Sequence, residues 1–173
     1  MIWITGLSGA GKSSVGRGVA DRLRTTGACV IFLDGDELRD ALGPAARTEI
    51  SYTRDGRVQL AHLYGRLCQM LAAQGMTVVI ATISMFNEVY SWNRNNLPGY
   101  FEVHVRATEA VRHGRDSKGV YSGRAGTAGT PGAGVDYDEP GSAHCTLDNN
   151  GEASVSQLAG LVISAFETTA ETM

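Results

Sequence analysis

The chain has 173 residues, of which 43% are hydrophobic and 19% charged, and its formal net charge is −3 at pH 7. This length and composition are typical of one folded domain, so we expect a single domain over residues 1–173. The slightly acidic balance excludes the broad electrostatic attraction by which general nucleic-acid-binding and membrane-surface proteins act. No run of about 18 apolar residues occurs, and no basic and apolar leader precedes the first apolar run, which predicts a cytoplasmic protein.

Apolar runs and helical stripes alternate along the chain. The apolar runs predict strands over residues 1–5, 28–33, 76–83, 100–105 and 143–147. The stripes predict helices over residues 13–24, 57–74, 86–96, 108–115 and 154–167. This alternation predicts an α/β fold in three layers, with a five-stranded parallel sheet and helices on both of its faces.

Two of the predicted helices have details that a structure can test. In the first helix, Val15, Val19 and Leu23 recur every four residues and form one buried stripe. In the long helix over 57–74, Gly75 follows the last periodic residue, as expected of a glycine at the C′ position. The buried stripe of that helix is predicted to comprise Leu60, Leu63, Tyr64, Leu67, Met70 and Leu71.

A glycine-rich loop joins the first strand to the first helix. Gly6–Ser13 (GLSGAGKS) fits the pattern G-x-x-x-x-G-K-[ST], in the strand–loop–helix context that this pattern requires. Backbone N–H groups of such a loop surround phosphate oxygens, and the helix adds the positive end of its dipole. Lys12 is expected to contact the β- and γ-phosphates, and the Ser13 hydroxyl to bind Mg²⁺. The predicted ATP-binding residues of the loop are Gly6, Ser8, Gly9, Ala10, Gly11, Lys12, Ser13 and Ser14.

Polar residues follow the next two predicted strands. Asp34, Asp36 and Arg39 come after the second strand, at the edge where open parallel sheets bind ligands. Asp36 also fits the N-cap of a following helix, because aspartate is favoured at that position. Ser84 follows the third strand, where it fits a plain N-cap for the next helix.

Residues 116–142 are rich in glycine and nearly free of aliphatic side chains. A disordered surface loop has this composition, and so does a lid that closes over a bound nucleotide. The neighbouring cations favour the lid; they are Arg112, Arg115, Lys118 and Arg124.

The three cysteines, Cys29, Cys68 and Cys145, are far apart and stand among apolar residues. Because metal sites need closer spacing, this pattern favours buried free thiols.

The glycine loop indicates nucleotide binding but not the reaction. The guanine-binding N-K-x-D and the switch D-x-x-G of common GTPases do not occur in the required order. A short chain with acids after the second strand and an arginine-bearing glycine lid favours a kinase of small molecules or nucleotides, whose task is positioning and charge neutralisation.

With these motifs in place, the chain resembles the adenylylsulfate kinase family over nearly its whole length. The resemblance rests on the glycine loop, on D-G-D-E-L-R at residues 34–39, on Ile83-Ser84 and on R-D-S-K-G-V-Y at 115–121, the most diagnostic element. A shortened lid tail, G-V-D-Y-D-E-P at 134–140, completes it. The family transfers the γ-phosphoryl group of ATP to the 3′-hydroxyl of adenylylsulfate with Mg²⁺, and is often dimeric.

The resemblance implies roles for individual residues. Lys12, Asp36 and Ser84 are the expected catalytic residues, and Ser84 matches a family serine that can be phosphorylated. Ser13 and Asp36 are expected at the metal, and Arg115 at ATP. The expected acceptor-binding residues are Asp34, Asp36, Arg39, Arg57, Ile83, Ser84, Lys118, Gly119 and Tyr121.

The chain departs from the family pattern on the acceptor side. Where the family shows D-R-x-x-N-I-R-R, residues 56–63 read G-R-V-Q-L-A-H-L, and M-F-N at 85–87 replaces P-Y-R. Lost cations weaken an anion site. A subgroup acting on cytidine diphosphoramidate shares the character of residues 81–94, so that nucleotide is an alternative acceptor. A nucleotide sensor without catalysis is the alternative from another class.

Overall fold

The computed structural model of the chain describes residues 1–46, 52–116, 119–122 and 130–172. The strands are β1 (Ile2–Thr5), β2 (Val30–Asp34), β3 (Thr77–Ala81), β4 (Phe101–Arg106), β5 (Thr130–Pro131), β6 (Gly134–Val135) and β7 (Cys145–Asp148). The helices are α1 (Lys12–Thr25), α2 (Gly35–Ala41), α3 (Arg54–Ala72), α4 (Asn87–Asn96), α5 (Glu109–Gly114) and α6 (Val155–Thr172), with a short 3-10 helix over Gly43–Ala46.

The main sheet has the strand order β2–β3–β1–β4–β7, and all of its pairs are parallel. The predicted five-stranded parallel sheet is therefore confirmed. β1 lies in the middle, between β3 and β4, so the chain leaves it in one direction and later returns to its other side. Such a reversal of strand order opens a crevice at the carboxyl ends of the strands.

Side chains alternate across β1 and divide the core into two layers. Ile2 and Ile4 pack with α1 and α6 on one face of the sheet. Trp3 packs with α3 and α4 on the other face. Along α1, the predicted stripe of Val15, Val19 and Leu23 is buried, which confirms it.

The region after β2 differs from the prediction. β2 is an edge strand and is mostly half-buried, because only β3 pairs with it. Helix α2 follows it directly, and none of the predicted helix ranges covers these residues. A helix of seven residues with no buried residue carries no apolar stripe that periodicity could detect.

The long helix α3 starts earlier than predicted, and its buried face is narrower than the predicted stripe. It begins at Arg54, because the Thr53 hydroxyl accepts a hydrogen bond from the Gly56 N–H at 3.1 Å and caps it. Leu63 and Met70, placed in the stripe, are 46% and 54% exposed. Small residues bring the helix close to its neighbours, and its buried positions are Gly56, Ala61, Tyr64, Gly65 and Cys68.

The predicted glycine at the end of α3 is confirmed. Gly75 has φ 82°, and its N–H donates to the Ala72 carbonyl at 3.0 Å. The Met76 N–H donates to the Leu71 carbonyl at 3.3 Å. These two bonds define a Schellman motif with Gly75 at C′.

Only part of the predicted lid lies within the described residues, since 117–118 and 123–129 fall outside them. In the described part of the lid, the two-residue strands β5 and β6 pair with each other. Lid movement remains a prediction. In the described ranges, no helix has both the length and the apolar character needed to cross a bilayer.

The cysteines are free thiols, but their burial differs. Cys68 is buried, as predicted, and Cys145 is only half-buried. Cys29 is exposed just before β2, so that its predicted burial is wrong. Burial raises the pKa of Cys68 to about 12.

We expect a thiol reagent at pH 8 to modify Cys29 rapidly and Cys68 only after unfolding, because the thiolate is the reactive form. Mass mapping of the labelled protein over time, with and without denaturant, measures this. The Cys29→Ser variant should lose the fast reaction. Labelling of Cys68 in the folded protein at the rate of Cys29 would contradict the assigned burial.

Candidate active site

The glycine loop is shaped by three elements that press against it. A Cβ atom on Gly6 would lie 2.2 Å from the Val105 carbonyl oxygen of β4. One on Gly9 would lie 2.7 Å from the Arg112 carbonyl oxygen of α5. Gly11, the N-cap residue of α1, has φ 95°, and its added Cβ would lie 2.3 Å from Asn149 Nδ2. Sterics therefore require glycine at all three positions.

Hydrogen bonds to three of its backbone carbonyls hold the glycine loop in place. Ala10 is fully buried, and its carbonyl accepts a 2.8 Å hydrogen bond from Asn149 Nδ2. The Ser8 carbonyl accepts a 3.0 Å bond from the Tyr121 hydroxyl, which also accepts from Arg112. Lys12 Nζ donates to the Leu7 carbonyl at 2.9 Å.

The first turn of α1 is suited to an anion. It contains no acidic residue and begins with Lys12. The positive end of the helix dipole therefore faces the cavity, which Ser13 and Ser14 of this turn line.

Two carboxylates stand beside the loop at the end of β2. Asp34 is buried and caps α2, since its Oδ1 accepts a 2.9 Å bond from the Asp36 N–H. The N-cap alternative for Asp36 is thus wrong: Asp34 is the cap, and Asp36 lies in the first turn. Both residues line the cavity that Ser13 also lines.

Two arginines that line the cavity lie close to one aromatic ring. The Cζ atoms of Arg39 and Arg57 lie 5.6 Å and 5.7 Å from the centroid of the Tyr52 ring. Arg57 Nη2 donates to the Thr130 hydroxyl at 3.4 Å, whereas its buried Nε has no hydrogen-bond partner among the described residues. Burial, and secondly the charge of Arg39, lower the pKa of Arg57 to about 10. A bound anion would offset both effects.

The segment after β3 forms another wall. Ser84 has φ 23°, unusual for a residue with a Cβ, and its Oγ lies 2.9 Å from the Thr82 hydroxyl. The neighbouring Ile83 carbonyl accepts from the Thr5 hydroxyl of β1. The N-cap alternative for Ser84 is wrong, because the N-cap position of α4 is Phe86.

Arg115, Asp116 and Val120 also line the cavity. Arg115 Nη1 donates to the Asn149 carbonyl at 2.9 Å and reaches the cavity. The Asp116 carboxylate accepts from the N–H groups of Val120, Tyr121 and Ser122 at 2.7–3.0 Å, so it shapes this turn. Lys118, expected at the acceptor, lies outside the described residues.

The cavity has a volume of about 470 Å³ and brings most of the sequence-predicted residues together. Four of the predicted residues do not line the cavity: Gly6, Ala10, Gly119 and Tyr121. Ala10 and Tyr121 instead form hydrogen bonds that support the glycine loop, and this loop lines the cavity. The predicted residues that line it are Ser8, Gly9, Gly11, Lys12, Ser13, Ser14, Asp34, Asp36, Arg39, Arg57, Ile83, Ser84 and Arg115.

Sequence reasoning missed several functional positions. Tyr52 and Thr130 belong to no motif and reach the cavity only through the fold. Tyr64 was assigned to the core, yet it lines the cavity and its hydroxyl donates to the Gly35 carbonyl at 3.1 Å. Asn149 directly follows β7, so the rule that singled out Asp34 at a strand end could have found it.

The departures from the family pattern divide into two groups. Leu60 and Phe86 line the cavity, so they shape whatever binds there. His62 does not line it and packs against Trp92 instead, with 5.5 Å between ring centroids, while Leu63 points to solvent.

The donor set fits a magnesium ion that arrives with phosphates. Among the described residues, no group of three or more His, Cys, Asp or Glu side chains could hold a metal alone. Mg²⁺ commonly uses one or two protein oxygens, substrate phosphates and water. The Ser13 hydroxyl and the Asp36 carboxylate are oxygen donors of that kind, and both residues line the cavity.

Comparisons with known proteins agree with this fold and loop. The sequence profile described as adenylylsulphate kinase matches residues 1–148. The cytidine diphosphoramidate kinase of Campylobacter jejuni is 34% identical over 165 residues, 94% of each chain. A probable adenylyl-sulfate kinase of Pyrococcus abyssi is 30% identical over 151 residues, 86% of this chain and 84% of that one.

A solved structure gives the same result. The Mycobacterium tuberculosis APS kinase, in complex with AMPPNP and APS, superposes with a TM-score of 0.83 at 30% identity and covers 96% of both chains. Fold and site define a P-loop kinase, a nucleotide-binding transferase. The chain belongs to the adenylylsulphate kinase family.

We expect Asn149→Ala to weaken binding of a non-hydrolysable ATP analogue and to lower the free energy of unfolding by about 1–2 kcal/mol, because the buried Ala10 carbonyl loses its partner. Calorimetric titration and denaturant unfolding measure the two effects. The control is Asn95→Ala on the exposed face of α4. Unchanged analogue affinity in Asn149→Ala would show that the loop keeps its shape without this bond.

Proposed function

We propose that the protein transfers the γ-phosphoryl group of ATP to the 3′-hydroxyl of the ribose of a nucleotide acceptor. One observation carries this proposal. The glycine loop with Lys12, the carboxylate of Asp36 and the paired Arg39 and Arg57 line one cavity. Donor and acceptor can therefore be held side by side, and positioning supplies a large part of catalysis in phosphoryl transfer.

Each group has a distinct task in this reaction. The loop N–H groups and Lys12 bind the phosphates of ATP and stabilise charge on the transferring group. Asp36 accepts the proton of the acceptor hydroxyl, or orients that hydroxyl. The hydroxyl oxygen bonds to the γ-phosphorus while the bond between this phosphorus and the β-phosphate oxygen breaks. Mg²⁺, held by Ser13, Asp36 and the phosphates, would neutralise developing charge.

The acceptor is proposed to be adenylylsulfate, bound through its anionic groups at Arg39 and Arg57. Family membership and the APS-bound M. tuberculosis relative support this choice. Cytidine diphosphoramidate is the second candidate. It is supported by the C. jejuni relative and by Leu60 and Phe86, which make one wall of the cavity apolar at positions where the family pattern is polar.

The decisive experiment incubates the purified protein with Mg-ATP and each acceptor separately, and follows ADP and product masses. We expect phosphorylated nucleotide from at least one acceptor. A Lys12→Ala variant should lose most of the turnover, because transition-state charge is no longer neutralised.

The outcomes separate the alternatives. Turnover of adenylylsulfate supports the first candidate, and turnover of cytidine diphosphoramidate alone supports the second. ATP binding without turnover of either acceptor would overturn the proposed function in favour of a nucleotide sensor. Product that persists in Lys12→Ala would point to a contaminating kinase.

We expect Arg57→Met to raise the acceptor KM at least roughly tenfold, because a charged hydrogen-bond donor to the anion is lost. The same change should leave the free energy of unfolding equal or raise it by about 1 kcal/mol, since it removes a partly buried charge beside Arg39. Steady-state kinetics and denaturant unfolding test both parts. A destabilised protein with an unchanged acceptor KM would contradict the assignment.

The homodimer implied by the resemblance remains a proposal, which the mass of the protein in solution tests.

A further inference from the structure

The segment over residues 83–86 forms a wall of the cavity and has no regular secondary structure; α4 begins directly after it. Ile83, Ser84 and Phe86 line the cavity from this segment. On one side, Thr5 of β1 donates to the Ile83 carbonyl. The other side is held by residues that lie outside the cavity lining.

Asp138, in the chain that follows β6, makes most of these contacts. Its N–H donates to the Met85 carbonyl at 2.9 Å, and its carbonyl accepts from the Tyr90 hydroxyl at 2.9 Å. Its Oδ2 accepts from the Asn87 N–H at 3.0 Å. Because the N-cap residue Phe86 offers no side-chain acceptor, Asp138 caps α4 from a distance of about fifty residues along the chain.

Arg54, the first residue of α3, joins the same contact. Its Nη2 donates to Asp138 Oδ2 at 3.3 Å, and its two terminal nitrogens donate to the Glu88 carboxylate at 2.7 and 3.0 Å. The guanidinium also lies over Phe86, with Cζ 5.1 Å from the ring centroid. Three separate parts of the chain therefore meet behind one cavity wall.

We propose that Arg54 and Asp138 are positioning residues that fix Ser84 and Phe86 in the cavity wall and thereby set the affinity for the acceptor. This inference rests on the proposed function. The two residues are called the wall clamp below.

The effect should fall on the acceptor and not on ATP. The glycine loop is held by other contacts, from Asn149 and Tyr121. Among the described residues, the side chains of Arg54 and Asp138 form hydrogen bonds with each other, Glu88 and Asn87 instead. The segment that the clamp holds carries Ser84 and Phe86, on the side of the cavity where the acceptor is proposed to bind.

The geometry also indicates which contact matters most. The side chains of Arg54 and Asp138 are 39% and 34% exposed, so their ion pair alone contributes little. The cap on α4 and the two backbone contacts of Asp138 are directional and tie the wall in place. Loss of the cap on α4 should therefore lower the acceptor affinity more than loss of the Arg54–Asp138 ion pair.

Steady-state kinetics of four variants test the wall clamp. In Asp138→Ala and Arg54→Met we expect the acceptor KM to rise roughly three- to tenfold, with the ATP KM and kcat nearly unchanged. The Asp138→Asn variant keeps an oxygen that can cap α4, so its acceptor KM should rise less. The double variant Arg54→Met/Asp138→Ala should be little worse than Asp138→Ala, because the two residues act on one segment.

The matched control is Arg24→Met, which removes another partly exposed arginine that pairs with an aspartate, Asp21, at 2.8 Å on α1. Its KM values should equal those of the wild type. Equal changes in acceptor and ATP KM, or strictly additive effects in the double variant, would overturn the inference.

Amide hydrogen exchange gives a readout that needs no turnover. Peptides covering residues 85–90 and 136–140 should exchange faster in Asp138→Ala than in wild type, while phosphate-loop peptides keep their rates. If the wild type phosphorylates neither acceptor, the proposed function fails and the role in acceptor affinity fails with it. If the wild type is active but exchange at residues 85–90 is unchanged in Asp138→Ala, the wall clamp alone is refuted.

Discussion

The turn from β1 into α1 is confined on three sides, and the rest of the site depends on this confinement. β4, α5 and the residue after β7 approach three glycines so closely that no Cβ would fit. An anion-binding loop of this kind works because its N–H groups are already oriented before the ligand arrives. The strands and helices around it thus provide the order that the loop sequence, rich in glycine, cannot provide itself.

The parallel sheet brings the remaining groups to the same edge. β2, β3 and β7 each end at this crevice, and they deliver Asp34, the segment with Ser84, and Asn149. Chemistry is therefore distributed over residues far apart in the chain, as in other open α/β sheets. The two ends of the cavity are also supported independently, the loop by Asn149 and the opposite wall by Arg54 and Asp138. Such a division lets the acceptor side of a kinase change while the phosphate-binding side is kept.

Local patterns were sufficient for the main sheet, for the five helices other than α2 and for the glycine loop. They were also sufficient for Gly75, because a C′ glycine depends only on the turn that precedes it. They failed where partners are distant. The cap of α4 comes from Asp138, and no sequence window around Ser84 contains it. Tyr52 reaches its position between Arg39 and Arg57 only when α3 docks, and α2 is too short to show a period.

The paired arginines have a practical consequence for anyone who measures this protein. Arg39 and Arg57 repel each other across the Tyr52 ring, and burial lowers the pKa of Arg57. Any small dianion that enters relieves this repulsion, whatever organic group it carries. Inorganic sulfate and phosphate present the same oxygens as a nucleotide acceptor does. With the acceptor bound at these arginines as proposed, buffer anions should compete with it, and an acceptor affinity needs the salt concentration stated with it.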